Sequence, residues 1–287
     1  VGQTVTNGIV SALARTSVGV TDFQSFIQTD APINPGNSGG ALVTMDGRLL
    51  GVNTAIYTRS GGSVGIGFAI PSNMVQQVVD AALSDGRIVR PWACMELQKV
   101  SQSLAQTLGL AKPVGALIVK LHPNSPLRKA GLKSGDVVRT FNGKEILEPE
   151  NFRYRMAVAG VGARAEIGYL RQGKRNTVNV KLTAPPDVPP RNETTLTGEH
   201  IFNTVKVSNL NPAVVDEMGQ AFKLGLEEKG VIILTIDKRA RAARVGLRPG
   251  DIVLSINGTE ISSVAELVAL LNKPQEQCGL EIRRAGR

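Results

Sequence analysis

Histidine, cysteine and tryptophan are all scarce in this sequence. Its 287 residues include two histidines, two cysteines and one tryptophan, and aromatic residues make up only 4%. The cysteines, Cys94 and Cys278, fall in what the repeat described below makes different domains, so no disulfide framework is expected. No group of His, Cys, Asp and Glu has metal-ligand spacing and no glycine-rich loop has the pattern of a phosphate cradle, so neither a metal nor a cofactor is expected. No apolar run approaches the ~18 residues that a membrane-crossing helix needs. The net charge of +9 permits contact with nucleic acid or an anionic membrane. The Lys and Arg residues are spread along the chain, however. Their densest groups, Arg153 to Lys181 and Lys238 to Arg248, carry neither a zinc motif nor an aromatic RNA-binding signature. A solvated surface is expected, with no nucleic acid as partner, and peripheral membrane contact stays open. The opening Val1-Gly2-Gln3-Thr4-Val5-Thr6 has neither a Met nor a signal-peptide pattern and reads as an interior start.

The most informative stretch is Asp30-Ala31-Pro32-Ile33-Asn34-Pro35-Gly36-Asn37-Ser38-Gly39-Gly40. A serine set among glycines has room on every side, so its Oγ can project from a tight turn while the N–H groups of Gly36 and Ser38 aim at one spot. Two such donors are what an oxyanion needs. The plain alternative is a hairpin turn, since Asn and Gly are ordinary turn residues. Around it, Val5 to Leu13 and Leu49 to Tyr57 are rich in β-branched and small apolar residues bounded by Gly and Asn, which predicts short strands. Asp46-Gly47 between apolar runs predicts a hairpin. Pro71-Ser72-Asn73 opens a helix whose apolar residues Met74, Val75, Val78, Val79, Ala82 and Leu83 recur at helical spacing, with Gly86 beyond its end.

Gly36-Asn37-Ser38-Gly39-Gly40, with Thr29 to Asn34 before it and Ala41-Leu42-Val43 after it, resembles the nucleophile loop of chymotrypsin-fold serine proteases of the HtrA (Do-like) family. The resemblance implies a catalytic turn of Gly36, Asn37 and Ser38, with Ser38 as nucleophile. It implies that Asn53-Thr54-Ala55-Ile56 is the strand along which substrate lies and that Gly65 to Ala69 closes the specificity pocket. No acidic residue stands where a Lys/Arg-selecting pocket needs one. An apolar floor of Ile33 and Ile56 is expected instead, favouring small aliphatic side chains at the cleavage site; plain core is the alternative reading of these residues. A regulatory loop is implied around Asp22 to Thr29, although Thr16 to Thr21 is short for that role.

A serine nucleophile needs a general base and a group to orient it. His122 and His200 both lie in the later domains, and each reads as a loop residue. In the chymotrypsin order His and Asp precede Ser, so both are expected upstream of Val1. The complete protein is then expected to hydrolyse peptides, and this segment alone is not.

The remainder is a repeat. At an offset of 115 residues, Gly115-Ala116-Leu117-Ile118-Val119 aligns with Gly230-Val231-Ile232-Ile233-Leu234. In the same register Ala130-Gly131-Leu132-Lys133-Ser134-Gly135-Asp136 aligns with Val245-Gly246-Leu247-Arg248-Pro249-Gly250-Asp251, and Asn142-Gly143 with Asn257-Gly258. Each block predicts a glycine turn, a strand, an Asn-Gly hairpin and a helix, Pro149 to Val158 and Val264 to Leu271. The copies resemble PDZ domains, which take an extended peptide beside one strand and hold its terminal carboxylate on backbone N–H groups. The carboxylate loop is expected at Pro91-Trp92-Ala93-Cys94-Met95 and, in the second copy, at Ile201-Phe202-Asn203-Thr204. The family commonly has Gly where Ala93 and Cys94 stand, which puts carboxylate capture in question but not strand addition along Met95 to Leu97. Trp92 reads as core or as groove lining.

The fold class expected is mainly β: the C-terminal half of a chymotrypsin-like barrel over 1–87, PDZ domains over 88–184 and 199–287, and between them an extended, exposed proline-rich linker over 185–198. The function expected is serine endopeptidase degradation of misfolded proteins in the periplasm, with unfolded polypeptides and C-terminal peptides as partners and a trimer-based assembly in the complete protein. The alternative is a non-catalytic PDZ scaffold or holdase that keeps a vestigial barrel half.

Overall fold

The computed structural model describes residues 4–15, 26–34, 36–56, 63–83, 89–273 and 279–284. Residues 16–25, which include Asp22 to Ser25 of the expected regulatory loop, lie outside these residues together with Pro35, Tyr57, Gly86 and Cys278, as does the side chain of Ile56. The chain forms two compact units, Val1–Thr183 and Ala184–Arg287.

The first unit opens with an antiparallel sheet of β1 (Val10–Arg15), β2 (Phe26–Thr29), β3 (Ala41–Val43), β4 (Leu49–Ile56) and β5 (Gly67–Pro71), in the order β1-β2-β5-β4-β3. The first strand begins at Val10 rather than Val5. Before it, Ile9 N donates to Asp30 Oδ1 at 2.7 Å, and Thr29 Oγ1 donates to Ile9 O at 2.9 Å. Gly8 passes so close to Ala31 that a Cβ there would stand 2.4 Å from its N, which fixes a glycine at that crossing. Asp46-Gly47 lies in the connection between β3 and β4, closed by Thr44 N donating to Arg48 O. Helix α1 (Ser72–Leu83) follows at once.

This sheet buries little. Phe26, Ile27, Ile33, Phe68 and Ala69 are covered, but Val5, Ile9, Leu13, Val43 and Leu49 are exposed, and no described residue of α1 is buried. Among the described residues, all four clusters of buried apolar side chains lie in the repeat. Large apolar side chains left in water over both edge strands are the mark of a surface that another element covers.

The first copy contains β6 (Met95–Lys99), α2 (Gln102–Thr107), β7 (Ala116–Leu121), α3 (Pro126–Lys129), β8 (Val137–Phe141), β9 (Lys144–Glu145), α4 (Pro149–Ala159), β10 (Arg164–Arg171) and β11 (Lys174–Lys181). The sheet runs β11-β10-β8-β7-β6, with β9 on β8. Asn142 (φ 48°) and Gly143 (φ 72°) make the expected hairpin. Its core gathers Ile118, Leu127, Leu132, Val138, Phe152 and Ile167. Helix α1 docks on this copy through polar groups: Gln77 Nε2 donates to Ala157 O (2.7 Å) and Val158 O (2.9 Å), two carbonyls at the end of α4.

The second unit contains β12 (Thr194–Thr195), β13 (Lys206–Asn209), α5 (Pro212–Phe222), β14 (Val231–Thr235), α6 (Arg241–Arg244), β15 (Ile252–Ile256), β16 (Thr259–Glu260), α7 (Val264–Leu271) and β17 (Leu280–Arg283), in a sheet β12-β13-β14-β15-β16 with β17 on β15. Residues 184–198, expected as an extended, exposed linker, fall within this unit, with Asp187 to Pro190 exposed. Asn209 Nδ2 donates to Pro190 O and Asn211 Nδ2 to Pro189 O, each at 2.7 Å, and Ala213 N donates to Pro186 O. Prolines supply carbonyls without N–H groups of their own, and two buried asparagines take them up.

The aspartate of each repeat block has the same task. Asp136 is buried, accepts from Lys133 N at 2.7 Å and takes Arg171 Nε and Nη2 at 2.7 Å; Asp251 takes Arg248 N at 2.8 Å and Arg284 Nε and Nη2 at 2.7 Å. The hydrogen bonds that the guanidinium groups donate to these carboxylates raise both guanidinium pKa values further above their ordinary range. Neither arginine is visible in the repeat register, because the pairing runs from a turn to a distant strand.

Candidate active site

The turn at 36–40 is built from its own backbone. Asn37 N donates to Asn34 O and Gly40 N to Asn37 O, each at 3.0 Å. Gly39 N donates to Asn53 O at 2.8 Å, and Asn53 N donates to Gly40 O at 2.9 Å, which ties the turn to β4. Gly36 (φ 103°) occupies a conformation that side chains disfavour, and a Cβ on Gly40 would meet Asn37 O at 2.9 Å. The N–H groups of residues 37, 39 and 40 are therefore consumed, whereas those of Gly36 and Ser38 have no acceptor among the described residues. Ser38 is exposed, and its Oγ donates to Thr54 O at a long 3.4 Å.

The turn thus gathers Gly36, Asn37 and Ser38 with Asn53 and Thr54. Asn53 is engaged on both backbone groups, so any edge of β4 open to substrate starts beyond it, at Thr54 and Ala55. The Asn53 side chain lies under the turn with its Oδ1 buried and unpartnered. Ile33 is buried directly behind Gly67, where an added Cβ would stand 2.7 Å from Ile33 Cδ1. Gly67 also pairs across the sheet with Ile56, so Ile33, Gly67 and the backbone of Ile56 share one place.

Neither histidine is shown with Ser38. The His122 ring lies 5.2 Å from the Trp92 ring at a tilt of 58°, and its Nδ1 accepts from Asn124 N. His200 lies in the other unit with a buried Nδ1.

The two peptide loops have matching construction. In the first copy Trp92 is buried and its N donates to Thr183 O. Ala93 O accepts from Ser125 Oγ, and Cys94 O accepts from His122 N. Cys94 itself adopts φ 39°, so the position where glycine was expected keeps a glycine-like backbone in spite of its side chain. In the second copy Phe202 is buried as Trp92 is, and Thr204, two residues on, has φ 67°. Among the described residues, strand β6, with Met95 to Leu97, pairs only with β7, whereas β13 pairs with β14 on one side and β12 on the other.

A family model described as trypsin-like peptidase domain matches residues 1–52, and PDZ domain models match residues 76–182 and 232–284. The chain is 36% identical over 283 residues to the periplasmic serine endoprotease DegP of Salmonella typhimurium, covering 99% of this chain and 56% of that protein. It is 38% identical over 268 residues to the probable periplasmic serine endoprotease DegP-like of Chlamydia muridarum, covering 93% and 52%. The solved structure described as HtrA-type protease AlgW with decapeptide shares 39% identity over 66% of this chain and 57% of that one, with a TM-score of 0.47. A trypsin-like segment followed by two PDZ segments, matched along almost the whole chain by DegP relatives, makes this chain similar to the HtrA proteases.

The chain spans about half the length of the DegP relatives it matches. The peptidase match of the chain stops at Val52, one residue short of the Asn53–Thr54 contacts that hold the Ser38 turn. Its second PDZ match starts at Ile232, after β12 and β13. Sequence reasoning missed Gln77 and Leu196. Gln77 acts through hydrogen bonds to carbonyls distant in sequence, and Leu196 sits in a polar stretch with no periodic signal.

Proposed function

We propose that this chain is the C-terminal portion of a serine endopeptidase, with Ser38 as nucleophile and the N–H groups of Gly36 and Ser38 as oxyanion donors. The observation that carries the reading is an exposed hydroxyl on a turn locked to β4, with the amides on either side of Asn37 left without acceptors among the described residues. The base and its orienting acid come from outside this segment and close over the exposed apolar residues of β1 and β3. The segment alone is inactive. Ile33 beneath Gly67 makes the specificity pocket small and apolar, so cleavage follows Val or Ala in preference to Arg.

The domain reading is a half-barrel over 1–87, a first PDZ domain over 88–183 and a second from 184 onward. The first offers the outer edge of β6 to extended peptides, with the Cys94 turn receiving a terminal carboxylate. The relatives' names carry the periplasm and the degradation of other proteins to this chain as proposals, and the resemblance to HtrA proteases does the same for a trimer-based assembly.

The test is a serine-directed phosphonate applied to the complete protein. Labelling at Ser38, lost in Ser38→Ala, is expected, because phosphonylation needs a working base. An intact, folded complete protein that takes no label would leave the holdase reading instead.

A further inference from the structure

The second PDZ domain differs from the first at the one edge that matters for peptide capture. In the first, β6 has no strand on its outer side among the described residues; in the second, residues 191–196 run there, with β12 (Thr194–Thr195) antiparallel to β13, Thr194 opposite Val207 and Thr195 opposite Lys206. The segment runs toward the 199–204 loop, the direction in which a peptide ending at that loop would run. At its last residue, Leu196 N donates to Val205 O and Leu196 O accepts from Thr204 N, both at 2.8 Å. Thr204 is the positive-φ residue of the loop, the counterpart of Cys94. Its N–H therefore serves a carbonyl in the place where the loop would serve a carboxylate.

The side chain agrees with the backbone. Leu196 is buried among Phe202, Val205 and Val207, and the α7 residues Val268 and Leu271 pack against the same cluster. The far end is fastened too: Asn209 N donates to Arg191 O at 2.7 Å, and Arg191 Nη1 meets Glu217 at 2.8 Å. Between the ends, Lys206 Nζ pairs with Glu193 Oε2 at 2.6 Å. After Leu196 the chain turns away through Gly198, whose φ of 143° suits glycine.

We infer that residues 191–196 are a built-in ligand of the second PDZ domain, with Leu196 in the seat of a peptide's C-terminal side chain, so that an outside peptide enters only by displacing this strap. The inference rests on reading both copies as peptide-binding domains. Strap closure lowers the apparent affinity of the second groove by the fraction of chains in which the strap is out.

The test uses the whole chain and a fluorescein-labelled peptide of the sequence of residues 191–196 with a free carboxylate, followed by anisotropy and by the amide NMR shifts of residues 204–209. Leu196→Ala weakens the strap and is expected to gain one site relative to the parent, with shifts at 204–209 and affinity there tighter by on the order of tenfold. A parent that binds no peptide beside a variant that binds one still supports the strap, while removing the peptide-capture reading of the first domain. A parent that already binds at 204–209 as tightly as the variant overturns the strap, as does a folded variant that gains no site. If Leu196→Ala loses the fold of the second unit, Glu193→Lys decides, since it sets like charges across exposed Lys206; unchanged affinity at 204–209 then overturns the inference.

Discussion

Ser38 and Asp136 mark two extremes of what one residue does here. Ser38 is exposed and its Oγ makes one long hydrogen bond, to Thr54 O, so Ser38→Ala is expected to leave thermal stability within about 0.5 kcal/mol of the parent while lowering kcat of the complete protein by about 10⁴-fold or more. Hydrolysis of an unfolded polypeptide, measured beside a melting curve, checks both halves. Asp136 touches no substrate and is buried under three hydrogen bonds. Asp136→Ala strands the Lys133 N–H and releases Arg171, which is a third exposed and recovers part of its solvation. The expected loss is about 2–3 kcal/mol, read by denaturant unfolding of the first unit. The aspartates are plain in the repeat register, and their arginine partners are not. A carboxylate that caps its own turn is a local pattern, whereas Arg171 and Arg284 arrive from strands more than thirty residues away.

At the level of elements, the sheet edges decide what each part can bind. Strand β6 has an open edge, and Leu97→Pro, which removes an N–H and disfavours the strand, is expected to weaken capture of a hydrophobic C-terminal peptide by the first domain by about tenfold. Amidating the peptide is expected to weaken it as well, because the Cys94 turn then has no carboxylate to receive. Anisotropy with free and amidated peptides checks both effects, and equal binding of the two forms would remove the turn from the reading. Helix α1 illustrates where periodicity misleads. Its apolar residues recur at helical spacing, yet Val78, Val79 and Leu83 are exposed, and the contacts it makes on α4 run through Asn73 and Gln77. Periodicity reports that a face is apolar but not whether anything within this chain covers it.

For the molecule as a whole, the two units give a direct expectation. Trp92, the only tryptophan, is buried in the first unit, so its fluorescence follows that unit alone, while far-UV ellipticity follows both. In urea the two curves are expected to separate, and coincident curves would show that the units unfold as one. From sequence alone came the serine turn, the two PDZ copies, and their hairpins and helices. Each of these is written in a few adjacent residues, or in one repeat register, because glycine turns and Asn-Gly hairpins are dictated by local backbone angles. Tertiary structure alone decided that the proline-rich stretch belongs to the second unit and that one peptide edge is open while the other is filled. Strand pairing joins residues across a loop, and a polar run such as Arg191 to Leu196 carries no pattern until β13 lies beside it.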